Sequence, residues 1–244
     1  MKKILLIIFT LSAGLSGLRA QETSVTAGLD ASSAYAFHGM TYNKNAVLQP
    51  YMTVAHKSFV YNLWCNYNLK SDNNGLGYFP AGEFTEIDHF FTYLLPVKFA
   101  DLDVTLGIYN YPMLGWKSDK ELQFGGSKTL HPLFIPFARA CYMIGGSMAK
   151  NLYCEFGTKG ETPIVKDLIF CYQLKASFES QGFLEGTPTG MKDFLGTAGV
   201  KWMATKSTGI SAKINYVGQL DKKILVNELY DVKAYGSIGV FTTF

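Results

Sequence analysis

The sequence predicts an all-β protein, an antiparallel transmembrane β-barrel of about twelve strands behind an N-terminal signal peptide. Three observations lead there. Apolar and polar residues alternate with period two along most of the chain, which a helix cannot produce. An apolar leader opens the chain. Of the 244 residues, 48% are hydrophobic and 15% aromatic but only 17% charged, against roughly 25% charged in an average soluble domain.

The leader comes first. Lys2-Lys3 precede the apolar run Ile4-Leu5-Leu6-Ile7-Ile8-Phe9, which continues to about Leu15 before small residues up to Ala20. This is the layout of a secretory signal peptide. The run is shorter than the ~20 residues a membrane-spanning helix needs. Leu18-Arg19-Ala20 matches a small-residue cleavage site at its last position, and the absence of Cys after Ala20 speaks against a lipid-anchored start. Residues 1–20 therefore read as leader and 21–244 as one barrel domain. The net charge of +3 resides in Lys2, Lys3 and Arg19, upstream of every acidic residue. With these removed, a nucleic-acid partner loses its electrostatic footprint.

After Gln21 no apolar stretch reaches helical membrane-spanning length, so the apolar surface must belong to strands. Val25, Ala27, Leu29, Ala31, Tyr35 and Phe37 alternate with Thr26, Asp30, Ser32 and His38. Phe59, Tyr61, Leu63, Cys65, Tyr67 and Leu69 do so against Asn62, Asn66 and Asn68. Leu102, Val104, Leu106 and Ile108 are set against Asp103, Thr105, Gly107 and Tyr109. In order, the segments are 24–38, 46–56, 58–69, 83–95, 101–111, 120–127, 133–143, 149–157, 164–178, 192–203, 209–217 and 230–244. Most are near the roughly 9–11 residues of a tilted membrane strand. Short connections such as His56-Lys57 and 204–207 alternate with long ones such as 70–82 and 218–229, the pattern of an outer-membrane barrel.

In the last segment Tyr230, Val232, Ala234, Gly236, Ile238, Val240 and Phe244 share a face opposite Lys233, Tyr235, Ser237 and Thr243. Its terminal aromatic, Phe244, resembles the C-terminal signal read by outer-membrane assembly machinery. A soluble barrel or sandwich would alternate as well, with its apolar face inward. Low charge, an even strand number, and a polar face of Gly, Ser, Thr, Asn and Lys suited to a wet lumen favour apolar-out.

Residues 30–112 carry a further likeness. The run Asp30-Ala31-Ser32-Ser33-Ala34-Tyr35-Ala36-Phe37-His38-Gly39-Met40-Thr41, then Val47-Leu48-Gln49-Pro50, Asn62-Leu63-Trp64 and Glu83-Phe84-Thr85-Glu86-Ile87-Asp88 resembles the TorF-type family of bacterial porins. Tyr109-Asn110-Tyr111-Pro112 echoes that family's Tyr-x-x-Pro-like turn, whereas His38 stands where the family shows Arg before the glycine. The resemblance implies an outer-membrane β-barrel and a porin-like role, with no substrate attached.

The candidate lumen residues follow from parity. Glu86 and Asp88 lie two apart and project together, opposite Ile87, Phe91 and Tyr93. Asp30 has the polar parity of the first segment, and Lys175, Lys201, Lys213 and Lys233 that of the last four. An acidic wall would face a partly basic one, diluted by Asp167, Asp193 and Asp231; alternatively these groups pair and plug a narrow interior. Arg139 interrupts the apolar segment 134–143 and should face inward, with Glu155 as a candidate bidentate partner.

Other chemistry is poorly served. His89 falls on the apolar face with no serine on the neighbouring apolar faces, so a lipid-modifying enzyme lacks its nucleophile. Cys65, Cys141, Cys154 and Cys171 have no zinc spacing and read as free thiols, and the dispersed His38, His56 and His131 argue against a metal site. No catalytic residue, metal or cofactor is expected. Aromatics near segment ends, among them Tyr35, Phe37, Tyr42, Tyr78, Phe79 and Trp116, read as interfacial girdles or as sugar-stacking platforms. The expected function is a porin-like channel of the bacterial outer membrane for small hydrophilic solutes, in contact with outer-membrane lipid and assembly machinery. Its alternatives are a non-conducting barrel whose outer loops bind a partner and, third, a lipid-modifying barrel enzyme.

Overall fold

The computed structural model describes residues 23–146, 150–180 and 188–244. Residues 1–20, read as leader, lie outside the described residues. Sixteen strands follow in order: β1 (Thr23–Ser32), β2 (Tyr35–Phe37), β3 (Met40–Asn43), β4 (Val47–His56), β5 (Phe59–Asn68), β6 (Asp72–Asn74), β7 (Gly77–Phe79) and β8 (Phe84–Leu94). The second half holds β9 (Asp101–Asn110), β10 (Asp119–Ser127), β11 (Ile135–Gly145), β12 (Leu152–Val165), β13 (Leu168–Ser180), β14 (Gly190–Met203), β15 (Thr208–Gln219) and β16 (Ala234–Thr243).

Twelve of these close a single antiparallel barrel in the order β1-β16-β15-β14-β13-β12-β11-β10-β9-β8-β5-β4. The seam is the β1·β16 pair, which runs from Thr26 opposite Thr243 to Ser32 opposite Ser237. Backbone bonds between Val25 and Phe244 extend it to the last residue. Closure pairs every strand edge, which a bilayer requires because it offers no water to an open one. No described helix is long and apolar enough to cross a membrane.

Side chains divide as the alternation demands. Leu29, Phe91, Leu122, Phe124, Phe156, Leu174, Ile214, Ile238 and Val240 are exposed on the outer face. Thr26, Asn66, Glu86, Asp88, Glu121, Glu155, Gln173, Thr197 and Lys201 are buried inside. His89 is on the outer face, where its Nδ1 lies 2.9 Å from the Tyr61 hydroxyl, so the two side chains share a hydrogen bond on an otherwise apolar surface. All four cysteines are free thiols, with Cys141 and Cys171 buried and Cys65 and Cys154 on the outer face.

The segments differ from expectation in three places. The first ends at Ser32, and Tyr35–Phe37 form a separate hairpin with β3. The eighth runs on to Val165, and the turn falls at Lys166-Asp167; Gly160 and Pro163 interrupt the apolar pattern there without ending the pairing. The last strand begins at Ala234, leaving Lys233 exposed in the preceding bend.

The outward orientation makes a direct prediction. Ile214 is 62% exposed near the middle of β15, so Ile214→Lys should destabilise the lipid-inserted barrel by about 2–4 kcal/mol. Asn215→Lys, directed into the lumen, should cost clearly less. Denaturant titration of the barrel folded into vesicles, read by heat-modifiable gel mobility, measures both.

Candidate functional site

The lumen is built from inward residues in lateral rows. Arg139 on β11 lies opposite Gly125 on β10, which lies opposite Asp103 on β9. Because Gly125 carries no side chain, the guanidinium reaches across β10 and donates from Nη1 and Nη2 to the two Asp103 oxygens, both at 3.0 Å. Nη1 also donates to Gln123 Oε1 at 2.9 Å. A Cβ at Gly125 would stand 2.5 Å from Nη2. This corrects the expected Arg139–Glu155 pair. Glu155 sits opposite Arg139 in register but accepts from Lys175.

The same device closes the seam. Lys213 on β15 reaches Asp30 on β1 at 3.4 Å, across β16, where Gly239 lies opposite both Asp30 and Ser211. Lys201 pairs with Glu161 at 2.8 Å. Lys192 and Glu179 form the most enclosed pair, at 2.9 Å with both side chains 1% exposed. Of the sequence candidates, Asp30, Glu86, Asp88, Arg139, Glu155, Lys175, Lys201 and Lys213 thus point inward, whereas Lys233 stays at the rim.

Asp119, Glu121 and Gln123 escaped the sequence reading, although their alternation with the outward Leu122 and Phe124 is the signal that marks them. Parity could not identify Lys192 and Asp193 together. A bulge in the β13·β14 ladder, between Ala176 and Phe178, lets both adjacent side chains face inward, as bulges do when they re-aim a residue. Asp193 there accepts from the Ser177 hydroxyl.

Across the mouth lies the β2–β3 hairpin. Its turn is His38-Gly39, with φ of 49° and 78°. Two consecutive positive φ angles are what a two-residue hairpin turn of the right-handed twist requires, and Gly39 has no room for more, since an added Cβ would lie 2.8 Å from Asp193 Cβ. At one side the Tyr35 hydroxyl donates to Glu86 Oε2 at 2.8 Å, and Phe37 packs 6.2 Å from the Tyr109 ring. At the other the His38 ring stacks 3.7 Å from Tyr153. Glu86 belongs to β8, Tyr153 to β12 and Asp193 to β14, and β8 and β14 stand on opposite sides of the ring. The hairpin therefore spans the lumen.

Two further outer segments pack on it. Tyr35, Met40, Tyr42 and Val47 form an apolar core with Phe79, Leu225 and Leu229. Thr41 Oγ1 accepts from the amides of Asp231 and Val232, and Asn74 donates to the Tyr42 carbonyl. Phe79 and Trp116, 5.9 Å apart, lie in or against this core, as do Tyr35, Phe37 and Tyr42. These five rings are thus neither girdle nor exposed stacking platform; Tyr78, 62% exposed, remains at the surface. A cavity of about 30 Å³ lies against the hairpin, bordered by Phe37, Tyr109, Asp119, Glu121, Met143 and Tyr153 among others, room for about one or two waters.

No described group of His, Cys, Asp and Glu is arranged to hold a metal ion. Around His38, enclosure by the barrel and the nearby Lys192 and Lys175 hold the imidazole well below its usual pKa. Burial raises the Tyr35 and Tyr42 hydroxyls well above theirs, so both remain donors.

No family model matches the chain, and no curated protein matches it in sequence. Its fold matches that of outer-membrane porins. KdgM porin in complex with disordered oligogalacturonate is similar at a TM-score of 0.53 and 8% identity, covering 91% of this chain and 99% of that one. NanC porin matches at 0.53 and 9% identity over 90% and 98% of the respective chains. An outer membrane channel of Pseudomonas putida F1 matches at 0.50 and 8% over 91% and 94%. At such identities the shared property is the closed barrel of porins and channels.

The glycine window predicts a specific failure. Gly125→Leu should displace Arg139 from Asp103 and destabilise the barrel by at least the roughly 1–3 kcal/mol of an overpacked interior. Gly126→Ala, with its nearest obstacle the flexible tip of Leu102, should cost less, and urea unfolding of the detergent-folded protein compares the two.

Proposed function

We propose that this protein is a porin-like channel of the bacterial outer membrane, passing small hydrophilic solutes, with its outer entrance closed by the β2–β3 hairpin in the conformation described. The observation that carries this is a closed twelve-strand barrel with apolar residues outside and ion pairs inside. A soluble barrel places these faces the other way round. The likeness in fold to porins and the TorF-type resemblance of residues 30–112 support the same reading. So does the apolar leader at residues 1–20, which would direct export, and Phe244, 74% exposed at the end of the seam, is suited to recognition by assembly machinery. Outer-membrane lipid is the partner of the apolar face. The KdgM neighbour is described with oligogalacturonate; the surplus of carboxylates in this lumen favours neutral or cationic solutes instead.

A second reading, a non-conducting barrel with partner-binding outer loops, is favoured by the apolar core that fills the mouth. Planar-bilayer recording separates the two. Discrete conductance steps support the channel. Tyr35→Phe removes a hydrogen bond to a carboxylate worth about 1.5–3 kcal/mol and should raise the open fraction about tenfold or more. Silence in both wild type and Tyr35→Phe would leave the second reading.

The hairpin should also respond to pH. Docked His38 excludes a proton that a released hairpin takes up near the ordinary pKa of about 6.5. Docking is then at full strength above that pH and weakens as the pH falls below it. Lys175 and Lys192 add to the cost of a charged ring, while Asp119, Glu121, Glu179 and Asp193 lie around it. Open probability should rise from pH 7.5 to pH 5.5 in wild type and rise much less in His38→Gln, in which those carboxylates are retained.

A further inference from the structure

The two ends of the barrel differ in charge. At the end where β1 begins and β16 finishes, the strands are joined by the turns 57–58, 95–100, 128–134, 166–167 and 204–207. Each of these turns carries one lysine, in order Lys57, Lys98, Lys128, Lys166 and Lys206, and all of them are exposed. Among the described residues none of them takes part in a salt bridge. The described acidic side chains in or next to these turns are Asp167, beside Lys166, and Asp101, which has the inward parity of Asp103. At the opposite end both signs mix: Lys44 bridges Asp72 and Asp231, and Asp221 precedes Lys222 and Lys223.

Apolar neighbours fix the depth at which these lysines sit. Phe59, Phe99, Leu130, Val165 and Trp202 are exposed, and each lies within four residues of a different turn lysine. The Phe59 ring packs 5.0 Å from that of Tyr93, across β5 and β8. Exposed rings at strand ends belong in the interfacial layer of a bilayer, and a lysine stem covers such surface while its ammonium stays at headgroup level. The two-residue turns at Lys57 and Lys166 cannot carry the charge farther from the membrane. The turns also follow one another round the strand ring, so the lysines encircle the barrel. An acidic protein docked on one flank would meet one or two of them, whereas surrounding lipid meets all. In outer-membrane barrels the short turns are periplasmic, which places the lysines at the inner leaflet.

We propose that this lysine ring binds net-anionic phospholipid headgroups of the inner leaflet, each ammonium donating to phosphate oxygens of a lipid against the barrel wall. The proposal rests on the outer-membrane reading and adds to it the leaflet and the charge class of the bound lipid. An ammonium offers three donors and no acceptor, and a charged phosphate oxygen is a strong acceptor for them. A zwitterionic headgroup has the same phosphate but brings its own cation, so net charge is what the ring discriminates. One lysine close to an anionic membrane surface is worth about fivefold in affinity. Such anchoring holds the short-turn end at a fixed depth whether or not the lumen conducts.

Trp202 supplies the reporter. It lies opposite Leu168 near the end of β14, between the turn of Lys166, where the Met203 amide donates to the Asp167 carbonyl, and the turn of Lys206. Trp64 packs on Tyr35 and Trp116 on Phe79, away from lipid. The full barrel is folded into phosphatidylcholine vesicles containing phosphatidylglycerol as the minor lipid, with bromine on the acyl chains of one lipid or the other. Tryptophan quenching then gives the relative affinity of the two lipids, and because both leaflets share one composition the direction of insertion does not matter. The expected preference for phosphatidylglycerol is about fivefold at low salt, vanishing in about 1 M KCl, where the Debye length is about 3 Å. Lys166→Gln/Lys206→Gln should bring it near unity, and Lys222→Gln/Lys223→Gln, at the opposite end, should leave it unchanged. Trp202→Phe should remove the difference in quenching, and glycerol phosphate in solution at constant ionic strength should not displace the lipid. Heat-modifiable mobility verifies that each variant is folded. The proposal is overturned, with the membrane barrel intact, by equal quenching from both lipids in folded wild type, by a preference that survives high salt, Trp202→Phe or Lys166→Gln/Lys206→Gln, or by displacement with glycerol phosphate. Failure to insert into any vesicle overturns the membrane reading as well.

Discussion

Closure of the strand ring is the constraint from which the other features follow. Inside a bilayer an unpaired backbone group costs several kcal/mol, so β1 must meet β16. Once the ring is closed, the side chains of one parity have nowhere to go but a narrow shared interior. Charges placed there lose their bulk water and must find partners within reach. The interior answers laterally: Arg139 reaches Asp103 over Gly125, and Lys213 reaches Asp30 over Gly239. Inward glycines are therefore windows through which ion pairs bridge non-adjacent strands and brace the wall.

The early half of the barrel solves the same problem differently. While Asp30 and Asp103 meet cations from the late strands, Glu86, Glu121 and Asp119 accept from the phenol hydroxyls of Tyr35, Tyr109 and Tyr111, which are neutral donors. Tyr35 comes from the hairpin, so the docked hairpin is part of that wall's hydrogen bonding as well as the roof of the lumen. The hairpin and most of its docking surface on β5 and β8 lie within residues 30–112, the stretch that resembles TorF-type porins. What looks in sequence like a family signature is in space a closure element together with the face that receives it. His38, standing where that family shows Arg, stacks on Tyr153 near two lysines, a place where an uncharged ring is much less costly than a fixed cation.

Much of this was legible in the sequence, because strand parity is a local property. A side chain's direction in a paired strand depends only on its odd or even position, which is why Glu86 and Asp88, Lys201 and Lys213, and the outward Ile238 and Val240 could be assigned without coordinates. Parity fails where the ladder is irregular. The bulge near Met191 turns both Lys192 and Asp193 inward, and no alternation rule marks the position of an extra residue. It fails at Lys233 too, since where a strand begins depends on which partner is available to pair.

The sequence by itself determined about twelve strands, their two alternating faces and most of the charges on the polar one, since these follow from period and segment length. Only the tertiary structure decided which charge meets which, because partners such as Arg139 and Asp103 belong to strands whose stagger is set by barrel closure. It alone decided that Tyr35 and Phe37 leave the wall to cross the lumen. Their alternation is that of a strand, and the turn at His38-Gly39 could have pointed the hairpin outward equally well; only the aromatic and carboxylate surface of β5, β8 and β9 gives it somewhere to bury its rings.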